Sequence, residues 1–255
     1  MRRPDELRAL VERYLDDLAL TPELGGLADA VRYALDGGGK RIRPVLCLAT
    51  GEAAGATAAE LLPAAAAVEL VHTFSLVHDD LPALDDDDER RGRPSTHVRF
   101  GEGVAVIAGD ALLAEAFRLA LAYETPLVGR ELAASTLGMI GGQHLDITGA
   151  GAGPGLDRLK TGRLFEAAVG CGLWVAGVPE REQGAWRAFA AELGPLFQLV
   201  DDILDGDGAA ELHGEEGARA LADAAAARAR AHLDEIEADT SVLAEIVSGL
   251  AVRTS

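Results

Sequence analysis

The chain has 255 residues, of which 49% are hydrophobic and 25% are charged, and it carries a formal net charge of −19. Its apolar content can bury a substantial core, so the composition argues against intrinsic disorder. The negative charge repels phosphate backbones and aromatic residues make up only 4% of the chain, so we expect no nucleic-acid partner.

Helical patterns run through the chain in order. Alanine-rich and leucine-rich stretches with charges every three or four residues predict helices at 6–20, 108–124 and 217–239. The stretch 62–81 is apolar on nearly every side, which is typical of a helix surrounded by other helices. A β-branched run at 104–108 is short and continues directly into a helical pattern, so we predict one all-α domain without a sheet.

The sequence carries no visible export or membrane signal. Acidic residues interrupt the basic N-terminal segment before an apolar region of signal-peptide length can form. No run reaches the ~18 uncharged apolar residues of a membrane span, because Glu69 and His72 interrupt the longest apolar stretch. Cys47 and Cys171 lie in no CxxC motif and are assigned to packing. We therefore expect a cytoplasmic protein without a membrane span.

Six aspartates lie between residues 79 and 88, directly after the long apolar helix. Like charges at this density need either a bound cation or full solvation. Asp79 and Asp85 are six residues apart and would lie ~120° from a common face on a regular helix. Pro82 breaks the helix between them, so a turn there can bring Asp85 back beside Asp79. A solvated charged loop is the alternative.

A second group of aspartates lies in FQLVDDILD at 197–205. Asp201 and Asp205 are four residues apart and share one helix face, while Asp202 lies about 100° away. Two carboxylates one turn apart, with no basic residue between them, form half of a site for a hard cation such as Mg²⁺. Because Mg²⁺ is readily shared with phosphates, two such groups facing each other would form a diphosphate clamp.

Basic residues lie where they could neutralise the remaining diphosphate oxygens. Lys40 and Arg43 follow three glycines at 37–39, and Arg90 and Arg91 follow the first aspartate group. Arginine binds phosphate oxygens with a bidentate fork, and glycine allows close approach of the backbone. Surface charge at a helix start, or simple balancing of the aspartates, would also account for these residues.

These motifs together resemble the trans-isoprenyl diphosphate synthases, the family of the farnesyl and geranylgeranyl diphosphate synthases. The resemblance covers roughly residues 5–208. It rests on GGGKRIRP at 37–44, HTFSLVHDDLPALDDDDERRGRPSTH at 72–97, GDALLAEAF at 109–117, GGQHLDI at 141–147, LKTG at 159–162 and FQLVDDILD at 197–205. It implies an all-α bundle of antiparallel helices around a central prenyl cavity, with both aspartate motifs at the mouth and a homodimeric assembly.

The resemblance also implies roles for individual residues. The metal residues would be Asp79, Asp80, Asp85, Asp201, Asp202 and Asp205, with Asp80 and Asp202 as supporting members, holding three Mg²⁺ ions shared with the allylic diphosphate. Isopentenyl diphosphate would contact Lys40, Arg43, His72 and Arg91, and the allylic diphosphate would contact Arg90 and Lys160. Oxygens of Thr161 and Gln198 would face the forming carbocation. Taken alone, His72 reads as a core histidine, and Gln143 with Asp146 as either a polar pair or support for the site.

The implied reaction is the Mg²⁺-dependent condensation of isopentenyl diphosphate with a C5 or C10 allylic diphosphate. Ionisation of the C–O bond leaves an allylic cation, which the double bond of isopentenyl diphosphate attacks. Phe74 and Ser75 lie where the family sets product length. Ser75 leaves room and Phe74 is bulky, so we predict farnesyl diphosphate, with a C20 product as the alternative.

The resemblance weakens after residue 208. Family members continue with a lysine-bearing loop, whereas this chain has no lysine after Lys160 and is shortened after residue 208. A weakly active or inactive partner subunit of a heteromeric synthase is therefore a second hypothesis. A class I terpene cyclase is a third, although such enzymes normally replace the second DDxxD motif, and a plain divalent-cation-binding helical protein would not explain six ordered motifs.

Overall fold

Helices make up nearly all of the structure, a computed structural model that describes residues 2–150 and 154–252. The α-helices are α1 (Pro4–Asp16), α2 (Leu27–Leu35), α3 (Ile42–Ala53), α4 (Ala58–Asp79), α5 (Thr96–Phe100), α6 (Glu102–Ala120), α7 (Leu127–Thr148), α8 (Pro154–Asp157), α9 (Arg163–Val175), α10 (Gly184–Asp205), α11 (Gly208–Asp234) and α12 (Ser241–Ala251). Short 3₁₀ turns lie at Pro22–Leu24 and Glu180–Glu182, and a π-helical turn at Arg158–Gly162 leads into α9. The predicted all-α fold is confirmed.

Among the described residues a short hairpin forms a two-stranded sheet, so the prediction of no sheet was wrong. Strands β1 (Glu89–Arg90) and β2 (Arg93–Pro94) pair antiparallel, with Arg90 opposite Arg93. Arg91 and Gly92 form the turn with φ of 55° and 74°. Two-residue strands are too short to show the alternation by which strands are recognised in a sequence. The β-branched run at 104–108 lies inside α6, as predicted.

Helix α4 is the central helix of the bundle and packs against α3, α6 and α9. It begins with a capping box between Thr57 and Glu60, and its buried side chains lie all around the axis. By length and composition α4 is the helix among the described residues that could cross a membrane, but 67% of its most apolar stretch is buried inside the structure. A core helix passes the same test, so its apolar character has a structural explanation.

One continuous core joins the helices. Fully buried residues from distant parts of the chain contribute to it, among them Leu7 of α1, Leu46 of α3, Leu112 of α6, Phe165 of α9 and Phe189 of α10. Cys47 and Cys171 are free and buried, and burial raises the pKa of the Cys47 thiol to about 12, which keeps it protonated. Both thiols therefore fill space, as predicted.

A two-residue link, Gly206 and Asp207, joins α10 directly to α11. The two helices pack closely along their length, because α11 presents a row of alanines whose small side chains permit close approach. The buried alanines of this row are Ala218, Ala222, Ala225, Ala226 and Ala229. Gly214 kinks α11 at φ 71° and ψ 163°. The short link leaves the second aspartate group at a tight helix junction.

Candidate active site

A cavity of about 540 Å³ lies between α4, α6, α7 and α9. Much of its wall is apolar, with Phe74, Leu113 and Met139 among its lining residues. Asp79, at the C-terminal end of α4, and Lys160, in the π-helical turn, bring charge to it. An apolar pocket with a few charged groups is suited to a molecule with a hydrocarbon body and an anionic head.

The first aspartate group folds back on itself, as the sequence predicted from Pro82. The backbone N–H of Asp85 donates to the carbonyl of Asp79 at 2.9 Å, and the N–H of Asp87 donates to the carbonyl of Asp80 at 3.2 Å. Burial raises the pKa of the Asp79 carboxyl to about 6, the Lys160 ammonium opposes this shift, and the Asp85 carboxylate adds to it. Two carboxylates that disfavour each other's charge are the arrangement a hard cation stabilises.

Asp80 and Arg90 form an ion pair at the first aspartate group. Asp80 is buried, and its Oδ1 accepts hydrogen bonds from Nε of Arg90 at 2.9 Å and from Nη2, which also donates to Asp87 at 3.1 Å. Asp80 lines a small separate pocket and not the central cavity. Asp80 therefore pairs with the hairpin arginine, as befits a supporting member of the site, because a buried carboxylate requires a nearby cation. The assignment of Arg90 to the allylic diphosphate stays a prediction.

A basic pocket of about 370 Å³ lies beside the cavity. It is lined by Gly39, Lys40, Arg41, Ile42, Arg43, Glu69, His72, Arg91 and Phe197. Arg91 donates to the carbonyl of Gly38. Gly39 has φ +123°, and a Cβ there would lie 2.4 Å from Nη1 of Arg91, so only glycine fits at this position. The pocket gathers all four residues predicted to bind isopentenyl diphosphate, of which Lys40 is exposed.

Arg43 separates the basic pocket from the central cavity, since it lines both. Its guanidinium stacks over Phe165 at 4.7 Å and Phe197 at 5.7 Å, and its Nη1 lies 3.5 Å from Nε2 of His72. Among the described residues its Nε has no hydrogen-bond partner. Burial lowers the pKa of Arg43 to about 10, while Glu69 and Asp201 oppose that shift. Arg43 stays charged at neutral pH and has capacity for an anion.

His72 is a neutral histidine in this basic surrounding. Burial lowers its pKa well below the usual value, and the positive charges of Arg43 and Arg91 lower it further. A neutral imidazole can donate one hydrogen bond to a phosphate oxygen without adding charge. The core interpretation and the binding interpretation of His72 are therefore compatible, since it is half-buried and borders both pockets.

Lys160 links three carboxylates. Its ammonium lies 2.5 Å from Oδ2 of Asp146, and Asp79 and Asp85 also raise its pKa against the effect of burial. Asp146 thus pairs with Lys160 and is not tied to Gln143, whose buried Nε2 has no partner among the described residues. This resolves the alternatives that the sequence left open for these two residues: Asp146 orients the lysine, and Gln143 presents an amide to the cavity.

The second aspartate group ends α10 with three different environments. Asp201 acts electrostatically on Arg43, which places it beside the basic pocket. Asp205, the last residue of the helix, is exposed. Asp202 accepts hydrogen bonds from Nε2 of Gln198 and from the N–H of Ala209, both at 2.9 Å. Gln198 Oε1 in turn lies 3.3 Å from Oγ1 of Thr161, so α10 and the π-helical turn are connected.

The predicted chain-length residues both line the cavity, and the structure adds two residues that sequence reasoning missed. Phe74 packs edge-to-face on His78 at 4.9 Å, and His78 Nε2 lies 3.0 Å from the carbonyl of Val106. A Cβ on Gly109 would lie 2.2 Å from Nε2 of His78. A glycine inside an otherwise strong helix pattern was the available signal for this close approach.

The aspartates suit Mg²⁺ when a diphosphate shares it. Their oxygen donors match a hard cation. Burial is the main cause of the raised pKa of Asp79, and the nearby Asp85 carboxylate adds to it. Among residues 2–150 and 154–252, no three His, Cys, Asp or Glu side chains converge on one point to form a metal site alone. An ion with most of its ligands from water and phosphate fits this donor set.

Comparison with known proteins identifies the family. The polyprenyl synthetase family model matches residues 26–228. Geranylgeranyl diphosphate synthase of Cyanophora paradoxa is 44% identical over 69% of this chain and 64% of its own length, and the heterodimeric geranylgeranyl pyrophosphate synthase large subunit 1 of Arabidopsis thaliana is 45% identical over 77% and 58%. Farnesyl diphosphate synthase of Geobacillus stearothermophilus is 43% identical over 74% and 69%. The chain thus spans less than two thirds of the first two relatives.

Solved structures agree in fold along the whole chain. The structure described as an FPP/GFPP synthase from Zymomonas mobilis superimposes with a TM-score of 0.86 at 31% identity, covering 98% of this chain and 97% of that one. A geranyltransferase from Legionella pneumophila gives a TM-score of 0.83 at 30% identity, covering 97% and 93%. Because the family model matches most of the chain and the solved structures share its fold, the chain belongs to the polyprenyl synthetase family.

Proposed function

We propose that the chain is a prenyltransferase that condenses isopentenyl diphosphate with a C5 or C10 allylic diphosphate, head to tail, to give a short-chain prenyl diphosphate. The observation that carries this proposal is the position of Arg43 between an apolar cavity with an aspartate at one end and a separate basic pocket. Two anionic heads can be held apart while their hydrocarbon parts meet. The names of the curated relatives support the same reaction class.

Each part of the site has a task in this reaction. The basic pocket holds isopentenyl diphosphate through Arg43, neutral His72 and Arg91. Lys160 holds the allylic diphosphate beside Asp79. The allylic C–O bond breaks with its electron pair leaving on the diphosphate, and the double bond of isopentenyl diphosphate then attacks the allylic carbon. The apolar wall keeps water from the cation, and a proton lost from the adjacent carbon passes to the released diphosphate, so no protein base is required.

Asp79, Asp85, Asp201 and Asp205 are the residues we assign to Mg²⁺. When bound, Mg²⁺ supplies neutralisation of the charge that develops on the leaving diphosphate. The burial that raises the pKa of Asp79 favours a cation there. Asp80 and Asp202 accept hydrogen bonds from other residues of the chain, so we assign them to support: Asp80 holds the side chain of Arg90, and Asp202 holds Gln198 and the backbone at Ala209.

For the product we propose farnesyl diphosphate, because bulky Phe74 borders the cavity on α4 and is fixed by its contact with His78. Geranylgeranyl diphosphate is the second candidate. It is favoured by the names of most of the curated relatives, including that of Cyanophora paradoxa. The product made after removal of the Phe74 ring distinguishes these two candidate products.

A second copy of the chain is the partner we propose. Large apolar side chains are exposed on the neighbouring helices α6 and α7, and exposed patches of this kind mark interaction surfaces. Leu137 on α7 and Ile107 on α6 are 70% and 54% exposed and lie outside the central cavity. Leu137→Lys is expected to convert a dimer to a monomer in sedimentation equilibrium.

The test of the reaction is product analysis with purified protein. Labelled isopentenyl diphosphate and Mg²⁺ are incubated with C5, C10 or C15 allylic diphosphates, and the prenyl alcohols are identified after phosphatase treatment. A C15 product from C5 or C10 primers supports the proposal as stated, and a C20 product replaces only the chain length. No product with any primer, alongside Mg²⁺-dependent diphosphate binding, would instead identify a partner subunit of a heteromeric synthase. A cyclised hydrocarbon from the allylic substrate alone would point to a terpene cyclase.

A further inference from the structure

Both carboxylate oxygens of Asp202, in the second aspartate group, accept hydrogen bonds within the chain. Oδ1 accepts from Nε2 of Gln198 and Oδ2 accepts from the N–H of Ala209, each at 2.9 Å. Gly208 lies against the same carboxylate with φ +47°, and a Cβ there would lie 2.5 Å from Oδ2. The tight junction between α10 and α11 is thus folded onto Asp202 and covers one of its oxygens.

These contacts fix the direction of a hydrogen-bond chain. A carboxylate only accepts hydrogen bonds, so Gln198 must present its NH₂ group to Asp202 and turn its carbonyl oxygen the other way. That oxygen, Oε1, lies 3.3 Å from Oγ1 of Thr161. Because an amide oxygen also only accepts, the Thr161 hydroxyl must be the donor. Thr161 borders the central cavity. Because the hydroxyl hydrogen of Thr161 is directed at Gln198 in this hydrogen bond, only the lone pairs of its oxygen can face the cavity.

We propose that Asp202 is a positioning residue and not a metal ligand: through Gln198 it turns the lone pairs of Thr161 toward the allylic cation that forms in the cavity. The inference rests on the elongation reaction proposed above. Fixed dipoles aimed at developing charge lower a barrier because they need no reorganisation during the reaction. Neither Thr161 nor Gln198 gains or loses a proton in the step, since the electron pair of the broken C–O bond leaves with the diphosphate.

The neighbouring residue provides the contrast. Asp201 is rotated about 100° from Asp202 on the same helix, and it acts on Arg43 beside the basic pocket. Two adjacent aspartates of one motif therefore have different surroundings: Asp201 acts on Arg43, and Asp202 contacts the helix junction. The Asp201→Asn variant is the matched control for the loss of a metal-binding carboxylate.

The perturbation is Asp202→Asn, which keeps the shape and reverses one hydrogen bond. The Asn oxygen still accepts from Ala209, so the helix junction is retained. The Asn NH₂ group then faces Gln198, whose amide must flip and present NH₂ to Thr161. The hydroxyl oxygen becomes an acceptor, and its proton turns elsewhere. The double variant Asp202→Asn/Gln198→Glu restores two acceptor oxygens on residue 198 and also restores the net charge.

Two measurements are made on the four proteins. In the elongation assay, Asp202→Asn is expected to lower kcat on the order of 10-fold, less than the 100-fold or more typical of removing a direct contact to developing charge. KM for isopentenyl diphosphate and the Mg²⁺ requirement stay as in wild type, and the double variant regains most of kcat. In thermal unfolding with Mg²⁺ and inorganic pyrophosphate, the ligands raise Tm of Asp202→Asn as much as that of wild type, and raise Tm of Asp201→Asn less.

Three results would overturn the proposal. If Asp202→Asn loses the pyrophosphate-dependent rise in Tm as Asp201→Asn does, Asp202 binds the metal. If Asp202→Asn keeps the wild-type kcat, the direction of the hydrogen-bond chain has no effect on the reaction. If the double variant has the wild-type Tm but no recovered kcat, the hydrogen-bond direction is not the cause. A wild-type protein without elongation activity refutes the proposed function, while the pyrophosphate measurement still decides whether Asp202 is a metal ligand.

Discussion

Glu69 is the acidic side chain that lines the basic pocket, and removing its charge gives a sharp test of how that pocket is built. Glu69 lies on α4 and its Oε1 is 2.6 Å from Nη1 of Arg41. The two side chains are 3% and 2% exposed. Its charge also opposes the loss of charge that burial imposes on Arg43 and Arg91. Glu69→Gln keeps the shape and one acceptor oxygen but removes the buried counter-charge that these arginines share.

The magnitude follows from burial. Breaking one side of a buried ion pair costs about 3 to 5 kcal/mol, and the retained amide oxygen places Glu69→Gln at the lower end, about 3 kcal/mol. For a chain of this size each kcal/mol shifts Tm by about 2 to 4 °C, so the expected fall is about 6 to 12 °C. Glu12 offers the matched control, since it contacts the same Arg41 at 3.1 Å but is 33% exposed. Glu12→Gln should cost less than about 1 kcal/mol.

The assay is urea unfolding followed by circular dichroism, with linear extrapolation of the free energy of unfolding. If the free energy of unfolding of Glu69→Gln is within about 1 kcal/mol of the wild-type value, or equals that of Glu12→Gln, the buried ion pair does not carry this stability. A second readout uses the anion site itself. Without the Glu69 charge the pocket is more positive, so inorganic pyrophosphate should bind Glu69→Gln more tightly than wild type in calorimetry.

Phe74→Ala removes a ring that borders the cavity and should lengthen the product of the elongation assay by at least one C5 unit; an unchanged product would exclude Phe74 as the floor. Gly109→Ala brings a Cβ within 2.2 Å of His78 Nε2 and should destabilise the fold by about 1 to 3 kcal/mol in urea, with a Tm equal to wild type as the contrary result. His72 has a depressed pKa in the folded state, so its contribution to stability is present above the unfolded pKa of about 6.5 and is lost as pH falls below it. His72→Gln should therefore lose less stability than wild type between about pH 6.5 and pH 5, and parallel curves would contradict this.

The sequence predicted those features of the site that depend on residues close together along the chain. The return of Asp85 toward Asp79 was predicted from Pro82, and the backbone hydrogen bond between the two aspartates confirms the turn. The buried character of α4 followed from apolar residues on all sides. These features depend on neighbours along the chain, which a sequence shows directly.

What the sequence could not show are contacts between distant segments. The ion pair between Arg90 and Asp80 depends on a hairpin whose strands are too short to recognise in the sequence. Asp202 was grouped with Asp201 by motif, and its bond to Ala209 depends on a glycine junction on the other side of the helix end. Asp146 and Lys160 are 14 residues apart, and only the packing of α7 on the π-helical turn brings them together.

The position of Arg43 between two pockets has a thermodynamic consequence. One guanidinium carries one charge, and an anion on either side stabilises that charge and offsets the same desolvation. The first anion to bind therefore uses an interaction that the second would also have used, so it lowers the affinity for the second. Linkage requires each anion to change the binding free energy of the other by the same amount. Because both pockets share the charge of Arg43, they are energetically coupled: an anion bound in one pocket changes the affinity of the other for its anion, without any movement of the backbone.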